Sequence, residues 1–334
     1  MKVGFFFWPY TPEYTTRMVR LGEDLGFDLV GIADTPGNAM DLWVALTLAA
    51  GASQYVRLAS CVTNLLTRHP AITASAAASV DVAAGGRTIL GVGAGHSGVA
   101  NLGGAPTRAG ALRDGVAYLR ALLGGERASW AGASSQLAWV RRRVPVYAAA
   151  SGPAALRAAG AVADGTFINY GLQREHVARA TALVSEGAAG AGRATRDVDT
   201  WWVACLDCDT RRETAFEKLG NILVFVAAYV LGADPEGRGV PRELVPAVRE
   251  LRATYTTKQR EMDPGLIKRL GLFDYLRGRL AVAGTPQDCL EQARAAVAAG
   301  AQQLMFTVSL AADPERTVEL FGREVLPVLR GSRR

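Results

Sequence analysis

Four short stretches carry residues whose types and spacing could do chemistry. Gly93-Ala94-Gly95-His96-Ser97-Gly98 follows the apolar run Ile89–Val92 and joins backbone freedom to one imidazole. Cys61-Val62-Thr63-Asn64 ends the run Leu58–Val62 in polar side chains. Ala149-Ala150-Ser151-Gly152-Pro153 ends a third run and opens a helix pattern. Free N–H groups at a helix N-terminus, with a serine hydroxyl, make an anion site, although Ser151 serves equally well as a plain cap. Asp34 leads the turn Asp34-Thr35-Pro36-Gly37. It reads either as a turn former or as a carboxylate that bonds a cofactor or assists proton transfer. His96 is suited to donate to a substrate or to titrate near neutral pH. His69 stands before Pro70 at a helix start and reads as structural. Asn169, Tyr170 and Gly171 end another strand-like run and are candidates to line a pocket. Arg68, Arg108 and Arg174 lie near the same positions and could bind a polyanionic tail, although each alone reads as a surface arginine.

All these stretches stand at the C-terminal ends of strands. The pattern gives strands over Val3–Phe7, Phe27–Ala33, Leu58–Val62, Ile89–Val92, Val144–Ala149, Gly165–Asn169, Val198–Asp207 and Gln303–Val308. Helices are predicted over Thr15–Leu25, Leu42–Ala52, Ala71–Ala84, Ala109–Leu123, Ala154–Ala163, Glu175–Gly187, Glu213–Tyr229, Pro286–Ala299 and Pro314–Arg330. Gly124–Val140 reads as an irregular loop or small hairpin. Eight strand-then-helix units imply an α/β fold, a (β/α)8 TIM barrel, as one domain over residues 1–334. An open doubly wound sheet is the other arrangement, but no G-x-G-x-x-G opens a helix after the first strand. Residues 230–280 break the rhythm with recurrent Gly, Pro and charge, and read as an insertion after the seventh strand, over the barrel mouth. In a barrel, strand C-termini share one rim and ligands bind there, so the polar turns converge in one cofactor site.

Composition narrows the partners. The charge is +6 with pI about 9.3, yet the one Lys/Arg tract, Arg141–Arg143, precedes a strand and falls at the far edge of the barrel. Nucleic acid is therefore not expected, and a small-molecule substrate is. No run approaches the ~18 apolar residues of a membrane span, and the start, MKVGFFFWPYTPEY, is too short in apolar length for a signal sequence. Cys61, Cys205, Cys208 and Cys289 suggest neither a disulfide framework nor a metal site, which fits a reducing cytoplasm. Helix Leu42–Ala52 is apolar on almost every face and helix Ala71–Ala84 is rich in small residues, which suits coverage by a second copy of the chain or by the chain's own loops.

VTNLLTRHPAITA at 62–74, ILGVGAGHSG at 89–98 and APTR at 105–108 resemble the luciferase-like flavin and deazaflavin oxidoreductases. Within them the likeness is to the deazaflavin-dependent methylene-tetrahydromethanopterin reductases. GIADTP at 31–36, AAASGPAALRAAGAVADG at 148–165 and GTPQDCLEQARAAVAAGAQQLMFTV at 284–308 extend it over nearly the whole chain. The resemblance implies a hydride-transferring oxidoreductase using coenzyme F-420, commonly a homodimer through the two helices just named. FMN is the second cofactor choice, with monooxygenase chemistry and a partner flavin reductase, and flavin binding without turnover is a third reading. It implies a cofactor ring backed by Cys61-Val62-Thr63-Asn64, with a non-proline cis peptide in that run, and a phosphate near Ser151-Gly152. Asp34, Gly93, Ala94, Gly95, Ala149, Ala150 and Asn169 would complete the cradle, with His96 and Asp34 as catalytic candidates. Relatives often carry an acid where this chain has His96.

Overall fold

Apolar runs of four to ten residues, each cut by glycine, proline or a helix cap, become the strands of one parallel sheet. In a computed structural model the described residues are 1–232, 234–311 and 313–331. In chain order the strands are β1 (Lys2–Phe7), β2 (Leu29–Ile32), β3 (Arg57–Ser60), β4 (Thr88–Val92), the hairpin β5 (Ala128–Trp130) and β6 (Ala133–Ser135), β7 (Val146–Ala150), β8 (Gly165–Ile168), β9 (Asp199–Cys208), β10 (Ala281–Gly284) and β11 (Gln303–Thr307). The ring runs β1-β2-β3-β4-β7-β8-β9-β11 and closes on β1, all parallel. This is the expected (β/α)8 TIM barrel. β10 lies outside the ring, paired with the last residues of β9 from Ala281↔Cys205 to Gly284↔Cys208. That strand is missing from the sequence reading because AVAG, four small residues before a helix cap, carries no alternation.

Two apolar clusters divide the core. One lies between the ring and its helices. The other fills the ring with Leu29, Ala59, Cys61, Ile89, Tyr147, Phe167, Trp201, Val203 and Met305. Large rings fit because their neighbours are glycine: a Cβ on Gly165 would stand 2.6 Å from the Tyr147 ring. At the N-terminal end, the Asp199 carboxylate accepts from Tyr147, Trp201 and Gln303, so the ring's floor is polar and bonded. Arg143 pairs with Asp164 at that same end.

Helices Leu42–Ala52 and Ala109–Leu123 have the expected limits. The single helix expected over Glu213–Tyr229 is two, Arg212–Lys218 and Gly220–Leu231. The join is where a Cβ on Gly220 would meet the Pro264 carbonyl at 2.4 Å, so the second helix is placed by close backbone approach. A short helix, Ser97–Ala100, follows the glycine loop and was not expected. Between β9 and β10, helices Val245–Thr254 and Phe273–Leu280 and an intervening strap carry hydrogen bonds to loops at the C-terminal rim. Residue 233, within the 230–280 segment, lies outside the described residues.

Candidate active site

Polar turns from distant parts of the chain meet at that rim. The chain after β3 leaves the ladder as a bulge: the Cys61–Val62 peptide is cis, and Thr63 returns as a bridge to Val92. Asn64 then accepts from Leu66 N and Thr67 N at 2.9 Å, which sets the turn. Over this bulge runs the β4 loop. A Cβ on Gly93 would stand 2.7 Å from Val62, and one on Gly95, at φ +89°, would stand 3.0 Å from Asn64 Cβ. Only glycine lets the loop backbone lie so close to these side chains. The end of β7 brings Ala149, Ala150 and Ser151 to the third side, and Asn169 follows β8.

These turns enclose a cavity of about 190 Å³. Asp34, Cys61, Val62, Asn64, Gly93, Ala94, Gly95, His96, Ala149, Ala150, Ser151 and Asn169 line it. Thr63 and Gly152 stand just behind its wall. Thr63 donates to Asp34 Oδ2 at 2.7 Å. Gly152 lies under Arg238, whose Nη2 would be 2.7 Å from an added Cβ. Asp34 also accepts from Arg68 at 2.9 Å, and Arg68 pairs with Asp41 as well. Arg68 is thus committed to carboxylates of its own chain. Arg108 and Arg174 are exposed at helix starts. His69 caps its helix by accepting from Ala71 N at 3.2 Å, a structural use.

His96 needs a correction. Burial, with a smaller push from the Arg252 charge, pulls its pKa down from 6.5 to about 4. The imidazole is therefore neutral throughout the physiological range, and the expected titration near neutrality does not occur. Its ring sits among Phe225, Tyr229 and Tyr255, with centroids 5.2, 4.7 and 5.6 Å away. Trp8 meets Phe225 edge-on at 5.6 Å. Asn169 Nδ2 donates to the Tyr229 hydroxyl at 2.9 Å, while Asn169 Oδ1 is buried without a hydrogen-bond partner.

Besides Trp8, sequence reasoning missed four residues here: Phe225, Tyr229, Arg238 and Tyr255. The first two stand four apart after the seventh barrel strand, a spacing that puts both on one helix face and was readable. Arg238 and Tyr255 carried no signal. Arg238 donates to the Ser151 carbonyl, the Val230 carbonyl and, at 3.3 Å, Ser151 Oγ. Its Nε is buried and unpartnered, and no acid pairs with it among the described residues.

The luciferase-like monooxygenase family model matches residues 8–303. The chain belongs to that family. Among its members, the 5,10-methylenetetrahydromethanopterin reductase of Archaeoglobus fulgidus is 29% identical over 344 residues, covering 99% of this chain and all of the relative. The F420-dependent glucose-6-phosphate dehydrogenase of Beutenbergia cavernae is 33% identical over 232 residues, 64% of this chain and 69% of the relative. The coenzyme F420-dependent tetrahydromethanopterin reductase of Methanopyrus kandleri superposes with a TM-score of 0.77 at 25% identity, covering 98% of this chain and 99% of that one. The first and third of these likenesses cover nearly the whole chain. No described helix is long and apolar enough to cross a membrane.

Proposed function

We propose that this chain is a coenzyme F-420-dependent oxidoreductase that transfers hydride between the deazaflavin and a neutral organic substrate, in the reducing direction to a C=C, C=N or C=O bond. The observation that carries the reading is the cradle formed where the Cys61–Asn64 bulge, the Gly93–Gly95 loop and the end of β7 meet. Gly93 and Gly95 line the cavity, and a Cβ at Gly93 would collide with Val62 and one at Gly95 with Val99 and Asn64, so the loop can lie against the bulge only as glycine. Asn169 Oδ1 offers a buried acceptor with no partner of its own. At the end of the cradle, Ser151 Oγ and the N-terminus of helix Pro153–Val162 face Arg238, a cation beside a helix N-terminus with no ion-pair partner among the described residues, although the Asp234 charge acts on it. That combination suits the cofactor's phosphate.

The deazaflavin supplies a two-electron hydride carrier. This chain's residues do the rest. Thr63 and Arg68 fix Asp34, which makes Asp34 a holder of the bulge and an acceptor toward the cavity more than a mobile acid. His96 offers a neutral imidazole to the heteroatom of the substrate. Trp8, Phe225 and Tyr229 exclude water over the cavity. No Lys or Arg lines the cavity among the described residues, and Asp34, its only ionic side chain, is already paired. With Arg238 given to the cofactor's phosphate, a sugar phosphate finds no further counter-charge in the lining, which suits an uncharged, largely apolar acceptor. Binding is read by titrating the protein with coenzyme F-420 and, separately, FMN, following visible absorption. Saturable F-420 uptake, about tenfold or more tighter than FMN, followed by bleaching or recovery of the deazaflavin band with neutral enones, imines or ketones, is expected. Uptake of neither ring ends the proposal; uptake with no turnover of any acceptor leaves a binding protein.

The whole chain is taken to act as one catalytic unit, with 230–280 as its roof, and as a homodimer. Helices Leu42–Ala52 and Pro70–Ala83 bury one side on the barrel and leave Val44, Ile72 and Val82 more than half exposed. Such apolar side chains favour a partner surface. In sedimentation velocity, the wild type is expected to run as a dimer and the double variant Ile72→Glu, Val82→Glu as a folded monomer. A monomeric wild type rejects the idea.

A further inference from the structure

The strap between helices Val245–Thr254 and Phe273–Leu280 does more than cover the mouth. It is pinned at several points: Thr257 Oγ1 donates to Asn101 Oδ1 at 2.6 Å, Asn38 Nδ2 donates to the Thr257 carbonyl at 2.9 Å, and Gln259 Nε2 donates to the Tyr10 hydroxyl at 3.0 Å. These bonds place Tyr255 beside His96, with the hydroxyl 3.0 Å from Nε2 and the two rings within 5° of parallel. A neutral imidazole carries one N–H, and the bond made by one nitrogen decides which nitrogen keeps it.

We propose that Tyr255 is a positioning residue: its hydroxyl donates to His96 Nε2 and so holds His96 as the Nδ1–H tautomer, a neutral hydrogen-bond donor for the substrate's heteroatom. This rests on the hydride-transfer reading for its catalytic meaning, but the tautomer itself does not. Two observations set the direction of the bond. The imidazole is neutral, so Nε2 is free to accept. A phenol hydroxyl is a stronger donor and a weaker acceptor than a neutral imidazole, so a phenol–imidazole pair at 3.0 Å is made with the hydroxyl donating. The phenol itself stays protonated, because burial raises its pKa. As charge grows on the heteroatom during hydride arrival, a fixed N–H stabilises it, and a proton from water, which leaves hydroxide to the bulk, completes the reduced product. An imidazole whose proton sat on Nε2 would instead present a lone pair at Nδ1 and oppose the same charge. The strap thus couples coverage of the mouth to the chemistry beneath it, because only its seated form carries Tyr255 to His96.

The test reads the tautomer directly. Protein labelled with 15N-histidine contains three imidazoles, and the His96→Gln variant assigns the one of interest. Long-range proton–nitrogen spectra of the protein without cofactor are expected to show His96 protonated at Nδ1 at pH 7, and a mixed or reversed tautomer in Tyr255→Phe. The Phe variant keeps the ring and the other strap bonds, so circular dichroism should match wild type. In turnover it should lose roughly tenfold in kcat, a part of the 10²–10³ that one well-placed donor supplies, with KM little changed. Protonation at Nε2 in the wild type, or the same Nδ1–H tautomer in Tyr255→Phe, overturns the proposal whatever the cofactor titration shows. A shifted tautomer with unchanged kcat overturns its catalytic part.

Discussion

Replacing Arg279 by methionine should lower the unfolding free energy by about 3 kcal/mol or more. Arg279 is fully buried on helix Phe273–Leu280, yet no carboxylate pairs with it among the described residues. Its guanidinium donates instead to neutral acceptors on three segments. Nη2 reaches the Arg238 carbonyl at 2.6 Å and the Tyr170 carbonyl at 3.1 Å, and Nε reaches the latter at 3.3 Å. Nη1 reaches the Tyr275 hydroxyl at 2.6 Å and the Gly239 carbonyl at 3.4 Å. Methionine replaces most of the stem's volume but none of these donors. Each acceptor left dry costs about 1–3 kcal/mol. Relief from burying a charge offsets part of that sum, which is why the expected loss is nearer 3 than 8. Lysine would not rescue it, since one ammonium cannot span a fork of acceptors. Chemical denaturation of both variants checks this; wild-type stability in Arg279→Met would mean that the guanidinium is not the clamp it looks like.

That clamp also explains what the sequence could and could not disclose. The ring was legible because β1, β3, β4 and β11 are short apolar runs with sharp ends, and their period needs no tertiary knowledge. The cradle was legible for a related reason: Cys61–Asn64, Gly93–Gly95 and Ala149–Gly152 each sit immediately after such a run, so barrel topology alone brings them together. Where the reading failed, the cause was distance along the chain. Arg238 is 87 residues from Ser151, and Tyr255 is 159 from His96. No local pattern encodes either meeting. The environment of His96 was equally invisible, because its depressed pKa is made by burial among rings that arrive from the roof. The helix break near Gly220 has the same origin, a carbonyl from Pro264 approaching from outside the local window.

The second large effect is expected at Arg238. Its side chain lies over the N-terminus of helix Pro153–Val162, bonded to Ser151, and a cation there opposes the helix dipole. An anion between them reverses that sign: it meets the guanidinium, the Ser151 hydroxyl and the helix N–H groups at once. Arg238→Ala should therefore weaken coenzyme F-420 binding by about 10–100-fold, the worth of one charge-assisted hydrogen bond at roughly 1.5–3 kcal/mol. Some stability goes with it, about 1–3 kcal/mol for an acceptor left dry, because the side chain also donates to the Ser151 and Val230 carbonyls, while Arg279 still holds the Arg238 backbone through its carbonyl. Three comparisons separate a phosphate contact from a general disturbance. A deazaflavin fragment lacking the phosphate should bind wild type and Arg238→Ala equally. Arg238→Lys should recover part of the affinity, as a point charge without the fork. Raising the salt should weaken wild-type binding more steeply than binding to Arg238→Ala, because the lost term is the screened one. Equal losses for the phosphate-bearing and phosphate-free ligands would show that Arg238 shapes the roof and touches no anion.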